Sequence, residues 1–171
     1  MSLHKLNQAE LNQDCKKYIE SVEIWLRRLI DQTLTIHYGS NYLTFQHANG
    51  DYLIKNEIRN KIQARIDSEP GRYPRPIDAC LLEHEIAIIS NPVLYKIHFK
   101  KVFENEFPEG LTGFRKCLDR LVQPRNKLYH ANPISIREAE RVICYSNDII
   151  DAIKDYYIQT GMNQEYNRPL S

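Results

Sequence analysis

Apolar residues recur along this chain at helical rather than strand spacing, and that period predicts most of its elements. Over residues 8–37, Tyr18, Ile19, Val22, Trp25, Leu26, Leu29 and Ile30 recur at steps of three and four, while Lys16, Lys17, Glu20, Arg27 and Arg28 take the other face. Such a stripe predicts a long helix with one buried side, and Gly39 is placed to end it. The period changes in "YLTFQHANGDYLIK", where β-branched and aromatic runs flank an Asn-Gly pair; this predicts a small β-hairpin. Ile58, Ile62 and Ile66 then stand four apart, as on a short amphipathic helix. "SEPGRYPRP" is read as a loop, because its prolines and glycine cannot sustain a helix. From Ile77 to Ile89 the chain is apolar on nearly every side, which predicts a buried central helix broken at Asn91-Pro92. A further helix over 92–105 ends near "FPEG".

The next helix begins around Leu111, with Phe114, Leu118 and Leu121 on one face, and breaks at Asn132-Pro133. Ser135 and Glu138 have the spacing of a capping box opening the last helix. There Ile136, Ala139, Ile143, Ser146, Ile150, Ile153 and Tyr157 alternate steps of three and four, a seam for a neighbour or partner. Gly161 ends that helix, and "MNQEYNRPLS" reads as a loose tail. The predicted fold is all-α: a helical bundle of five to six helices in a single domain over residues 1–171, with a small β-hairpin and loop inserted at about 40–75.

Composition narrows the class. The chain has 171 residues, enough for one domain with a real core, and 42% of them are apolar, too many for a disordered chain. No apolar run approaches the ~20 residues of a membrane-spanning helix, so no membrane partner is expected. "MSLHKLNQAELNQDCKK" lacks the apolar core of a signal peptide, which predicts a cytoplasmic protein. Cys15, Cys80, Cys117 and Cys144 are scattered singly within or near apolar patterns, as reduced buried thiols would be. Cys80 and His84 are one turn apart, but two ligands do not make a zinc site; no metal and no cofactor are expected.

The net charge of +1 argues against indiscriminate coating of nucleic acid. Its distribution says more. Between Gly113 and Arg141 stand seven basic residues, Arg115, Lys116, Arg120, Arg125, Lys127, Arg137 and Arg141, against Asp119, Glu138 and Glu140. A local basic patch or a solvated helix face would both look like this.

Within that stretch, "PRNKLYH" sets Arg125, Asn126 and His130 just before a helix break. A histidine with its ordinary pKa near ~6.5 can take and give a proton at neutral pH, and an arginine offers a charged planar fork that matches phosphate oxygens. RNA carries its own nucleophile, the 2′-hydroxyl. Its cleavage needs a base, an acid for the leaving 5′-oxygen, and a cation for the charge growing on phosphorus oxygens. Two copies of one arginine and one histidine supply all three. Arg125 and His130 point about 140° apart on an ideal helix, whereas Asn126 and His130 share a face. Convergence therefore requires a bend, which Pro124 would favour, or a second subunit across a two-fold axis. Arg125 also interrupts the apolar stripe between Leu121 and Leu128, a costly place for a charge unless it is paired or faces a solvated cleft. The plainer reading is that Arg125 pairs with an acidic residue of another helix and His130 meets the carbonyls of a helix end.

"RNKLYH" followed by "ANPISIREAE" resembles the signature of HEPN domains, small helical bundles carrying an arginine, four to six residues, then a histidine, often with a polar residue after the arginine. Upstream, "IWLRRLIDQTLTIHYGSNY" is similar to the opening helix of the HEPN branch found in RNA-surveillance endonucleases and bacterial defence proteins. "LYKIHFKKVFENEFPEGLTGFRKCLDRLVQPRNKLYH" is similar to that branch's third-helix region, so the likeness spans about two thirds of the chain. The resemblance implies a metal-independent endoribonuclease of toxin or phage-defence type, acting as a homodimer with both motifs lining one cleft. It implies that Arg125 binds the scissile phosphate, that His130 is the acid/base leaving a 2′,3′-cyclic phosphate, and that Asn126 orients His130 or the phosphate. Lys127, Arg120 and Arg115 are the candidate RNA contacts, and an antitoxin or a larger defence system the candidate partner. Three positions depart from the pattern: Tyr129 where relatives often carry a small residue, Pro124 directly before Arg125, and Asn132 where toxins silenced by nucleotidyltransferase antitoxins carry a tyrosine. Some HEPN domains are inactive, so a non-catalytic module that dimerises or binds a nucleotide or partner stands as the alternative. A DNA-binding domain is the weaker third, because no compact helix-turn-helix with a basic recognition helix stands out.

Overall fold

The computed structural model describes residues 8–161, and among these the fold is all-α with six helices. These are α1 (Gln8–Tyr38), α2 (Asn56–Ser68), α3 (Leu82–Ile89), α4 (residues 92–103), α5 (Leu111–Tyr129) and α6 (Ile136–Thr160). α4 changes pitch along its length: an α turn Pro92–Leu94, a π-helical turn Tyr95–Phe99 and an α turn Lys100–Phe103. The chain divides into two compact units, one made of residues up to Trp25 and from Phe99 onward, the other of Leu26–His98. None of the described helices is long and apolar enough to cross a membrane.

In the first unit, α5 and the last turn of α4 pack on α6. Phe103 stacks on Phe114 with ring centroids 4.1 Å apart, and Phe107 closes on Phe114 edge-on at 5.2 Å. Trp25 meets Tyr157 at 5.9 Å. The seam of α6 is realised at Ala139, Ser146, Ile150, Ile153 and Tyr157, but Val142, Ile149 and Ala152 are buried beside it, whereas Ile136 is exposed. A straight helix of 3.6 residues per turn drifts off any fixed three-four pattern, so its buried face moves around the axis. The capping box forms: Ser135 Oγ accepts from the Glu138 N–H at 3.1 Å and Glu138 Oε1 accepts from the Ser135 N–H at 3.2 Å. Gly161, in the left-handed conformation, ends α6. The stretch "MNQEYNRPLS", read as a tail, lies outside the described residues.

In the second unit, α2 packs on a 3₁₀ turn, Pro76–Ala79, and on α3. The helix predicted from Ile77 to Ile89 is thus two pieces. Cys80 and Leu81 are extended between them, and His84 Nδ1 accepts the Leu81 N–H at 3.1 Å, so the imidazole opens α3. The predicted β-hairpin is not present. Asn49-Gly50 does turn the chain, with His47 N–H donating to Asp51 O at 2.8 Å, but only an isolated bridge, Gln46 to Tyr52, forms around it. Tyr42–Thr44 curls into a 3₁₀ turn on one side and Lys55 caps α2 on the other, leaving arms too short for a ladder.

Cys15, Cys80 and Cys117 are buried and unpaired, and burial pushes their thiols up to about 11, about 12 and about 12; Cys144 is exposed, contrary to the expectation for a buried thiol. No group of three or more His, Cys, Asp or Glu among the described residues is placed to hold a metal ion.

Candidate active site

The predicted site lies at the C-terminal end of α5, within the first unit. α5 runs unbroken through the buried Pro124, which sits inside the helix rather than ending it. The helix stops at His130, whose N–H still donates to Asn126 O at 3.1 Å while its own backbone leaves helical geometry (φ −96°, ψ 15°). Ala131 follows at φ 56°, the one non-glycine residue with positive φ among the described residues. Its N–H donates to Leu128 O at 3.2 Å and the Asn132 N–H to Lys127 O at 2.8 Å. That pair of bonds is a Schellman closure, which ordinarily uses glycine at the left-handed position. An alanine there costs roughly 1–2 kcal/mol of backbone energy, spent on the turn that carries His130.

The structure decides how Arg125 survives in an apolar stripe. Its side chain is 11% exposed, and its Nε donates to Glu23 Oε1 of α1 at 3.0 Å, with the Glu23 side chain 12% exposed. Nη1 donates to Asn126 Oδ1 at 3.3 Å, and the guanidinium lies 4.4 Å from the ring centroid of Tyr129. Lys16 Nζ is 4.8 Å from the same ring, and Tyr129 Oη donates to Glu20 Oε1 at 3.4 Å. Burial, then the charges of Glu23 and Glu20, push the Tyr129 phenol up to about 12, so it stays a donor at neutral pH. Lys16, Glu20 and Glu23 from α1 and Arg125, Asn126 and Tyr129 from α5 therefore form one network. It holds two cations and two carboxylates.

His130 is different. It is exposed, and its imidazole bonds no described residue. Asn126 turns its amide to Arg125, not to His130, so the expected orienting role toward the histidine is not realised in the single chain. The three basic residues predicted to touch RNA each have a protein partner. Lys127 Nζ donates to both Glu138 carboxylate oxygens at 3.0 Å, Arg120 Nη1 donates to Tyr145 Oη at 2.7 Å, and Arg115 Nε lies 3.7 Å from Asp119. Lys127 thereby ties the end of α5 to the capping box of α6, and its hydrogen bond, foremost among the causes, holds the Glu138 carboxyl below its ordinary value.

Lys16, Glu20, Glu23 and Tyr129 are the members of this network that sequence reasoning did not assign to the site. The signal for Glu23 was present. It stands four residues after Ile19 and three before Leu26, inside the apolar stripe of α1, as Arg125 does in α5. Two buried stripes interrupted by opposite charges are a pair in waiting.

A scan against protein-family models, a search of curated proteins and a search of solved structures each return no match to this chain.

Proposed function

We propose that the chain is a metal-independent endoribonuclease of HEPN type, acting as a homodimer, with Arg125, Asn126 and His130 of both copies in one cleft. The observation that carries this reading is the contrast within the motif: a guanidinium ordered by Glu23, Asn126 and Tyr129, beside an exposed imidazole that no described residue engages. Ordered cation plus accessible acid/base is what transesterification of RNA needs. One His130 takes the proton of the 2′-hydroxyl as its oxygen attacks phosphorus. The bond from phosphorus to the 5′-oxygen breaks, the partner's His130 protonates that oxygen, and a 2′,3′-cyclic phosphate and a 5′-hydroxyl are left. Arg125 has five N–H donors, of which one is on Glu23 and one on Asn126; the others serve the phosphate oxygens. Toxin or defence-effector activity and a cytoplasmic setting belong to the same proposal, as does an antitoxin or defence-system partner.

The Arg125–Glu23 pair favours a second reading, in which Arg125 is a structural residue and the domain is a non-catalytic dimerisation or partner-binding module. One experiment separates them. A labelled RNA pool is incubated in EDTA with wild type and His130→Ala, a surface change that leaves the core intact. The ribonuclease reading expects fragments ending in cyclic phosphate from wild type and none from the variant. Equal cleavage by both, or no cleavage by a folded wild-type dimer, removes it.

A further inference from the structure

The second unit holds a cavity of about 300 Å³ between the Ser40–Thr44 segment, α2 and the start of the 3₁₀ turn at Pro76. It shares no residue with the candidate active site and is built differently. Its lining includes the apolar Ile62, Ile66 and Ile77 and two arginines, Arg59 and Arg75, but no acidic residue. Both are held in place. Arg75 makes a two-pronged bond to the buried Asp31, Nη1 to Oδ2 at 2.6 Å and Nη2 to Oδ1 at 2.5 Å, while the buried Tyr42 Oη donates to the same Asp31 at 3.0 Å. Arg59 donates through Nε to Ile54 O at 3.1 Å and through Nη2 to Asn56 Oδ1 at 3.2 Å, and lies 3.5 Å over the Tyr52 ring.

The difference between the two arginines is what points to a ligand. Asp31 offsets the charge of Arg75, but no carboxylate among the described residues pairs with Arg59. Each guanidinium has five N–H donors and uses two, so each keeps three unspent. The side-chain amides of Asn41 and Asn60, also on the wall, bond no described residue. We propose that this cavity binds a small phosphate monoester with a compact, partly apolar body. Six unspent donors on two held guanidinium groups exceed what the two oxygens of a carboxylate accept, whereas a phosphate monoester brings three terminal oxygens and close to two charges at neutral pH. The isoleucines take the body, the free amides its polar edge, and the volume, at the low end for small-molecule sites, excludes large ligands.

Titration calorimetry with phenyl phosphate, inorganic phosphate and benzoate tests this on the whole chain, with amide NMR shifts to locate binding. Phenyl phosphate is expected to bind at least about tenfold tighter than either of the others, moving amides at 40–44 and 59–63 and not those at 125–130. Arg59→Gln, which leaves the Asp31 network in place, is expected to weaken it tenfold or more, as is Asn60→Ala by a smaller factor. A nucleoside 5′-monophosphate and a hexose phosphate then identify the body by whichever binds more tightly. No binding at millimolar phenyl phosphate, benzoate binding equally well, shifts confined to 125–130, or indifference to Arg59→Gln each overturns the proposal. None of these readouts depends on RNA cleavage.

Discussion

Removing the Arg125 guanidinium is the perturbation on which structure and chemistry make separate demands. In Arg125→Ala the Glu23 carboxylate, 12% exposed, loses the Nε donor at 3.0 Å and with it its cation. Breaking a buried pair from one side costs about 3–5 kcal/mol. The residual exposure of both groups lets water reach them, so about 2–3 kcal/mol is the better expectation. Replacing both charges by neutral groups of similar size, Glu23→Gln with Arg125→Met, leaves no orphaned charge, and the double variant should sit within about 1 kcal/mol of wild type. Urea denaturation of wild type, Glu23→Gln, Arg125→Met and the double variant at neutral pH closes the cycle and gives the coupling, expected at about 2 kcal/mol or more. A loss below about 0.5 kcal/mol for Arg125→Ala, with no coupling to Glu23, would refute the argument that the pair holds α1 to α5. The cycle also disciplines the ribonuclease assay. Activity lost in Arg125→Ala counts toward catalysis only if the stable double variant, Glu23→Gln with Arg125→Met, is also inactive.

Three further outcomes follow from single contacts. Ala131→Gly relieves the left-handed backbone at φ 56° and, after the added freedom of the unfolded chain, should stabilise by about 0.5–1 kcal/mol in the same denaturation assay. Ser146 is fully buried and its hydroxyl has no partner among the described residues, so Ser146→Ala should raise stability by about 1 kcal/mol, read as a melting temperature a few degrees higher. Glu138 has its folded pKa lowered, chiefly by Lys127, so its contribution is full above the unfolded carboxylate value near ~4.3 and lost as pH falls through the folded one. Glu138→Gln should therefore cost about 0.5 kcal/mol at pH 7, Lys127 being 43% exposed, and nothing once the wild-type carboxylate is protonated; parallel denaturation curves in acid would contradict this only if the gap persisted.

The helices themselves were legible because their causes are local. The stripe of α1, the start of α5 at Leu111, the capping box at Ser135 and the stop at Gly161 each depend on residues within a turn or two of one another. The hairpin at Asn49-Gly50 misled for the same reason: the dipeptide does make its turn, but whether two arms pair depends on what the flanking segments do, and here they coil into Tyr42–Thr44 and α2. Continuous apolarity across Ile77–Ile89 likewise could not show that His84 would turn its ring back to the Leu81 N–H and start the helix five residues late.

What the amino-acid order determined by itself is therefore the period of each helix, its caps, and the presence of a charge where an apolar residue belonged. Only the tertiary structure decided what that charge meets. Glu23 and Arg125 are 102 residues apart, and the ion pair exists because two buried stripes bring them together where neither can be solvated alone. The exposure of His130 was decided in the same way, by a left-handed alanine that no helical period requires but that the closure of α5 enforces.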